Sequence, residues 1–334
     1  MTPAPPGTAA QPPVDALKTI YESELNPSFV SARPPTGQVR LFGMGASYNV
    51  SIAAQPFFAE AGLTSHARLS TDAQLFGVDE VASDDLAILV SYTGDSRETV
   101  AVAEILRRRG VRRILGVTND LASPLASVCS DCWQIGVDPP RPYYLIFFGG
   151  LLFALYKLAC RLGDTPCAPF ASEAAHLEFA LDEGERLARS FSVPPHSIDA
   201  LGRGPDFGTA SQAALVAREF GRICASPWET GNYRHGPIET CSDDNLVLLY
   251  VSPREPARSL DLALARRLHQ LPGQLLTFPT DGANTRSAST TETRFRALTG
   301  LAPIVVMAYA WANLQGFVPG KLRYTSREFT DEIQ

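Results

Sequence analysis

Two short segments carry hydroxyls and glycines at a density suited to holding an anion. The first is Gly43-Met44-Gly45-Ala46-Ser47-Tyr48-Asn49, at the close of the apolar run 38–45. Its glycines let the backbone approach a ligand. Ser47 stands where a helix begins, with its hydroxyl and nearby N–H groups open to an anion. A plain N-cap in a tight strand–helix turn accounts for this loop equally well. The second segment is Ser91-Tyr92-Thr93-Gly94-Asp95-Ser96-Arg97-Glu98-Thr99, directly after the continuous apolar run Leu86–Ser91. The hydroxyls of Ser91, Thr93 and Ser96 converge, with several N–H groups, ahead of a helix. That is the composition of a phosphate cradle without the lysine of a P-loop. Capping by Asp95 or Ser96 leaves Ser91 and Thr93 without a reason, so the anion reading is taken.

These loops need elements to hold them. In open parallel sheets, ligands bind beyond the carboxyl ends of the strands. Apolar runs predict strands over 38–45, 86–91, 114–118 and 132–137, and helices over 15–32, 46–61, 96–109 and 143–162. The run Leu86–Ser91 is apolar throughout, as in a strand buried on both faces. The rhythm then recurs. Strands are predicted over 197–202, 246–251 and 274–278, and helices over 209–225, 260–270 and 301–314, with a long helical segment near 167–190 between the halves. The fold class that follows is α/β, with two doubly wound parallel-sheet lobes in tandem.

Composition fits this reading. Of 334 residues, 45% are apolar and 19% charged, enough for a sizeable core. The net charge of −6 argues against a general grip on nucleic acid, which needs a basic face. Residues 1–13 are rich in Pro and Ala and lack the basic and apolar regions of a signal peptide. The apolar run 143–156 is too short to span a bilayer and reads as a buried helix. A cytoplasmic protein with no membrane partner is expected. Cys129 and Cys132 form a C-x-x-C with no further ligands nearby, so they read as thiols packed at a strand edge, not as a metal site. No metal or cofactor is expected.

The two loops together, G-x-G-x-S-Y-N and then S-x-[ST]-G-[DE]-[ST] on strand ends, resemble the sugar-isomerase (SIS) domain. The chain is similar in particular to the isomerase half of glucosamine-6-phosphate synthase and to the fructosamine-6-phosphate deglycases, in organisation over about residues 35–320. The resemblance implies flavodoxin-like SIS lobes at 35–165 and 197–316, a connecting helix at 166–196, an N-terminal tail and helix at 1–34 and a C-terminal tail at 317–334. It implies that Gly45, Ser47, Ser91, Tyr92, Thr93 and Ser96 surround a sugar phosphate.

The second half adds Gly202-Arg203-Gly204-Pro205, then Arg218-Glu219, and sixteen residues beyond Glu219 the histidine of Tyr233-Arg234-His235-Gly236-Pro237. Synthase and deglycases resemble this at the same spacing. That makes Glu219 the enolising acid/base and His235 the ring-opening acid/base. The residue types suit the roles: a buried carboxylate can shuttle a proton through an enediol, and imidazole titrates near neutrality. Taken singly, each reads as well as a solvated helix acid beside Arg218 or Arg222, or a turn histidine. His66, His176, His196 and His269 have no such context.

The sequence also departs from the synthase. Val216 stands where the synthase has a lysine. Asp138-Pro-Pro-Arg-Pro-Tyr-Tyr-Leu145 replaces a Ser-Thr-Lys segment, Lys321 and Tyr324 lie near the place of its tail lysine, and an activity without a glutaminase domain is expected. The resemblance implies an aldose–ketose isomerase of a phosphorylated, amino-type sugar, working as a homodimer with shared active sites. One alternative is a fructosamine-6-phosphate deglycase or amino-sugar-phosphate deaminase using the same Glu/His pair. Another is a non-catalytic sugar-phosphate sensor, although residues 1–34 are too short and too weakly basic for the DNA-binding helices that sensors of this fold carry.

Overall fold

The computed structural model describes residues 13–24, 26, 35–137, 144–278 and 294–324. The chain divides into two compact units, Met1–Glu178 and Phe179–Gln334. The first contains α1 (Pro13–Glu22), β1 (Val39–Gly43), α2 (Gly45–Ala53), α3 (Gln55–Glu60), β2 (Ser65–Leu69), α4 (Ser70–Phe76), β3 (Leu86–Val90), α5 (Arg97–Arg108), β4 (Arg113–Thr118), α6 (Pro124–Val128), β5 (Asp131–Gln134) and α7 (Tyr144–Leu162). Helix α8 (Ala171–Arg189) follows, and the division falls within it. The five strands are all parallel, in the order β2-β1-β3-β4-β5. Strand β3 is buried along its whole length, as a central parallel strand with helices on both faces must be. Phe42, Ala87 and Leu89 face α5 and α6 through Val102, Leu106 and Leu125, while α1, α2 and α3 pack with α7.

The second unit holds β6 (Ser197–Gly202), α9 (Asp206–Glu219), β7 (Cys224–Glu229), α10 (Thr230–Tyr233), a 3₁₀ turn at Pro237–Thr240, β8 (Asn245–Tyr250), α11 (Ala257–Leu268), β9 (Gln274–Phe278) and α12 (Arg296–Leu314). Its parallel strands run in the order β7-β6-β8-β9, the same order as β2-β1-β3-β4. The two faces of this sheet are filled differently. On one, the Tyr250 ring lies against Gly300 of α12, where an added Cβ would sit 3.1 Å from the ring, with Thr209 of α9 beside it. On the other, Leu201, Val247 and Leu249 pack with Tyr233 and with Leu264 and Leu268 of α11.

The predicted helix 46–61 is two helices, because Pro56 sits in the first turn of α3 and restarts the chain at Ala54. The predicted helix 209–225 ends at Glu219, and 224–225 open β7 instead. Both β2 and β7, with α4 and α6, were not foreseen. The two strands are sheet edges with half-exposed residues and no apolar run. Pro227 inside β7 is tolerated because an edge strand needs hydrogen bonds on one side only. Helix α7 has 19 residues and matches the predicted helix 143–162. Its segment Leu145–Leu162 and the helix Arg296–Leu314 have the length and composition to cross a membrane, yet they are 78% and 67% buried inside the protein. The buried-helix reading of α7 therefore holds. The latter part of the predicted helix 15–32 and most of 138–147 lie outside the described residues.

Candidate active site

The two hydroxyl loops leave the first sheet side by side. Gly43, the last residue of β1, is in register with Val90, the last of β3. The strand order reverses between these two strands, which is where open α/β sheets bind ligands. Gly43 is required there because a Cβ would fall 2.8–3.0 Å from Ser47, whose turn packs directly onto the strand end. Gly45 adopts φ +49 and a Cβ there would meet nothing within 4 Å, so the turn is open on its outer side. Ser47 is buried in the first turn of α2, which carries no side-chain cap.

The second loop is more closely tied. Ser91 is buried; its Oγ accepts from Gly94 N at 3.1 Å and shares a 3.2 Å hydrogen bond with Ser96 Oγ. Ser96 occupies the N-cap position of α5 but makes no capping bond. The Ser96 side chain therefore does not cap α5. Thr93 is exposed and its Oγ1 accepts from Asp95 N at 3.3 Å. Gly94 has φ +73, and a Cβ would collide with the Ser123 side chain. Tyr92 lies edge-on to Phe147 of α7, ring centroids 4.7 Å apart, and burial pushes its hydroxyl up to about 12. It stays protonated and can only wall or hydrogen-bond a ligand. Tyr48, next to Ser47, is raised as well, first by burial and then by the charge of Asp72.

In the second unit, Glu219 is the last residue of α9, and neighbouring Arg218 bonds the carbonyl of Ala225 at the start of β7. Val216 is fully buried, so the helix turn before Glu219 presents core, not a cation. His235 is exposed after α10, its N–H bonded to Asn232 O at 2.9 Å, and Gly236 beside it has φ +145. Helix α9 covers the Tyr250 face of the sheet, whereas the Tyr233 turn covers the Leu201 face. One chain does not bring Glu219 and His235 together. Tyr233 and Trp228 serve their own unit: Tyr233 Oη and Trp228 Nε1 donate to the buried Asp199 at 3.1 and 3.0 Å, and Tyr233 is fully buried. Lys321 meets Arg222 through its carbonyl, and Tyr324 is exposed.

Several polar groups escaped notice in the sequence. The turn Gly202–Asp206 copies Gly43–Ser47: Gly202 closes the strand where a Cβ would strike Asp206, and Gly204 has φ +56. Arg203 extends from this turn to Asp261 and Glu229. Asp206 takes the place of Ser47, and burial raises its carboxyl to about 6, offset in part by Arg296 at 3.7 Å. The sequence marks this turn as Gly202-Arg203-Gly204-Pro205, but not the partners of Arg203 or the place of Asp206. Cys129 and Cys132 pack against Gly116 beside the edge strand β5, as expected. Among the described residues no cluster of His, Cys, Asp and Glu could hold a metal ion.

Known proteins share this arrangement. Residues 36–148 match the SIS domain. That span contains both hydroxyl loops. An isomerizing glutamine–fructose-6-phosphate aminotransferase of Arabidopsis thaliana is 22% identical across 95% of this chain and 48% of its own length. The chain spans about half the length of the curated relatives it matches. Glucosamine-6-phosphate deaminase from Thermotoga maritima has the same fold, with a TM-score of 0.73 and 20% identity, over 93% of this chain and 96% of that one. Tagatose-6-phosphate ketose/aldose isomerase from Escherichia coli aligns with a TM-score of 0.69 and 20% identity, over 92% of this chain and 89% of that one. The parallel α/β architecture is thus that of the SIS phosphosugar enzymes.

Proposed function

We propose that this chain is an aldose–ketose isomerase of a phosphorylated sugar, with an amino sugar as the preferred class. The observation that carries this reading is the pair of loops at the switch point of the SIS domain, where buried Ser91 ties to Ser96 and leaves the start of α5 uncapped. Ser47, Ser91, Thr93 and Ser96 hold the phosphate through hydroxyls and helix N–H groups, with Gly45 giving backbone access and Tyr92 walling the site. The lobes of the proposal are 35–165 and 197–316, joined through 166–196.

His235 opens the sugar ring: it takes the proton of the anomeric hydroxyl and returns one to the ring oxygen. Glu219 removes the proton from C2 of the open aldose, giving an enediol, or an enolamine where C2 carries an amine, and delivers it to C1, which gives the ketose or, for the amino sugar, its C2 ketimine. No net redox change occurs and no proton is consumed. Since Glu219 and His235 of one chain lie on opposite faces of a sheet, the His235 that serves a given Glu219 comes from a second subunit of a homodimer.

A second reading has one specific observation in its favour. Val216 is buried where the synthase carries a lysine. Without that amine the same enolisation can end in loss of the sugar's amino group, so that with uptake of water a deaminase releases ammonia and a deglycase the amine its substrate carries. Incubation with fructose 6-phosphate, glucosamine 6-phosphate and fructosamine 6-phosphates, with sugar and ammonia detection, separates the two. Interconversion of an aldose and a ketose phosphate with no nitrogen released supports the first reading, and enzyme-dependent release of ammonia or of the substrate's amine the second. Glu219→Gln, which keeps shape and removes the base, is expected to lower kcat by about two to four orders of magnitude. No conversion of any of these sugars, or a fully active Gln variant, overturns the proposal.

A further inference from the structure

We propose that Arg203 is a positioning residue for His235, an inference that rests on the catalytic reading of His235 given above. Arg203 sits in the turn after β6 that matches the phosphate-facing turn after β1, yet its guanidinium is turned to the protein's own carboxylates. Nε donates to Asp261 Oδ1 at 3.1 Å and Nη1 donates to Glu229 Oε1 at 2.9 Å. Asp261 is fully buried, and its other oxygen accepts from Ser252 N at 3.0 Å, which ties the arginine to the end of β8.

The far end of this chain of bonds is the histidine turn. Glu229 is the N-cap of α10, and its Oε2 accepts from Asn232 N at 2.7 Å. Asn232 O in turn accepts the N–H of His235 at 2.9 Å. Helix α10 has four residues, too few to hold itself by helical bonds alone. It depends on its cap, and the cap depends on Arg203. The backbone passes tightly over the ion pair: a Cβ at Gly231 would lie 2.9 Å from Glu229 Oε2 and 3.0 Å from Arg203 Nη1. Position 231 is therefore glycine because the Arg203–Glu229 bridge occupies the space. Below the turn, Tyr233 is fixed separately to Asp199, so Arg203 governs the entry to the turn and Tyr233 its floor.

A planar fork can serve two carboxylates through different nitrogens, whereas a lysine has a single donor centre. Arg203→Lys thus keeps the charge and breaks the bridge. Measured on the member of the sugar panel converted fastest, Arg203→Lys is expected to lower kcat by about 10- to 100-fold, as a small misplacement of a catalytic group does, while KM changes by less than about two-fold. Glu229→Gln, at a more exposed position, should shift kcat in the same direction and guards against a folding defect in the arginine variant. A readout independent of turnover is the ring NMR spectrum of the five histidines. The signal absent from His235→Ala should move or broaden in Arg203→Lys, and the other four should stay. Unchanged kcat with an unmoved His235 signal in both Arg203→Lys and Glu229→Gln overturns the inference, while leaving the function intact if His235→Ala is inactive. A fully active His235→Ala sinks both.

Discussion

Glu219 and His235 lie on opposite faces of the same four-stranded sheet. Glu219 ends α9, which packs with α12 over Tyr250. His235 follows Tyr233, which packs with α11 over Leu201 and Val247. Side chains on adjacent strand positions point to opposite faces of a sheet. The sixteen-residue spacing thus records a strand between them, β7, and not a local pair.

The proposed phosphate cradle makes a kinetic prediction. Ser91 and Thr93 each contribute a hydroxyl, and a hydrogen bond to a charged group is worth about 1.5–3 kcal/mol. The double variant Ser91→Ala/Thr93→Ala should raise KM for a phosphorylated sugar by about two to four powers of ten. Inhibition by inorganic phosphate should weaken in parallel. A double variant with unchanged KM for every phosphorylated substrate rules out the assignment.

Two glycines of the loops should respond differently to alanine. Gly45 and Gly94 both have positive φ, which disfavours any L side chain by about 1–2 kcal/mol. Only at Gly94 does the new methyl also collide, with the Ser123 side chain. Gly45→Ala is therefore expected to cost about 1–2 kcal/mol and Gly94→Ala about 2–4 kcal/mol, overpacking included. Denaturant unfolding of the two variants measures the difference. Equal costs would show that the Ser123 contact relaxes freely.

Asp206 gives the protein a pH-dependent stability. Burial raises its folded carboxyl to about 6, although Arg296 pulls the other way. The unfolded chain releases that proton at about pH 4. Between the two values the folded state holds more protons than the unfolded, so stability falls as pH rises through this window. The loss is on the order of 2–3 kcal/mol and is complete above the folded value. Asp206→Asn removes the titration. The Tm difference between variant and parent should grow in the variant's favour from about pH 4 to pH 6 and level off above it. A difference that stays flat across this range refutes the raised carboxyl.

The central strands were legible because they are buried on both faces and read as continuous apolar runs, as at Leu86–Val90 and Asn245–Tyr250. The edge strands were not. Ser65–Leu69 and Cys224–Glu229 are half-exposed and alternate poorly, and only the sheet tells them from loop. Finding the second matters for the site, because β7 stands between Glu219 and His235 in the chain. The hydroxyl loops were readable from composition, since serine, threonine and glycine have few other reasons to gather at a strand end. The bridge from Asp261 through Arg203 to Glu229 joins residues 58 and 26 positions apart. No local pattern announces such a bridge.

The last prediction concerns assembly. If the site combines Glu219 of one subunit with His235 of another, two inactive variants should rescue each other. Mixing Glu219→Gln chains with His235→Ala chains produces mixed dimers with one site carrying both defects and one carrying neither. Random exchange at equal amounts makes about half of all dimers mixed, so the rate should return to about a quarter of the parent's. The exposed position of His235, beside Gly236 at φ +145, leaves it free to project from its own unit. Trp228 and Tyr233 beside it are bonded to Asp199 of their own unit, so the shared site is expected from the opposed faces of the sheet alone. Recovery should appear only after subunit exchange, for example on dilution from mild denaturant, and should be absent when each variant is treated alone. A mixture that stays inactive after exchange has been verified by mass spectrometry of differently labelled chains would exclude the shared site.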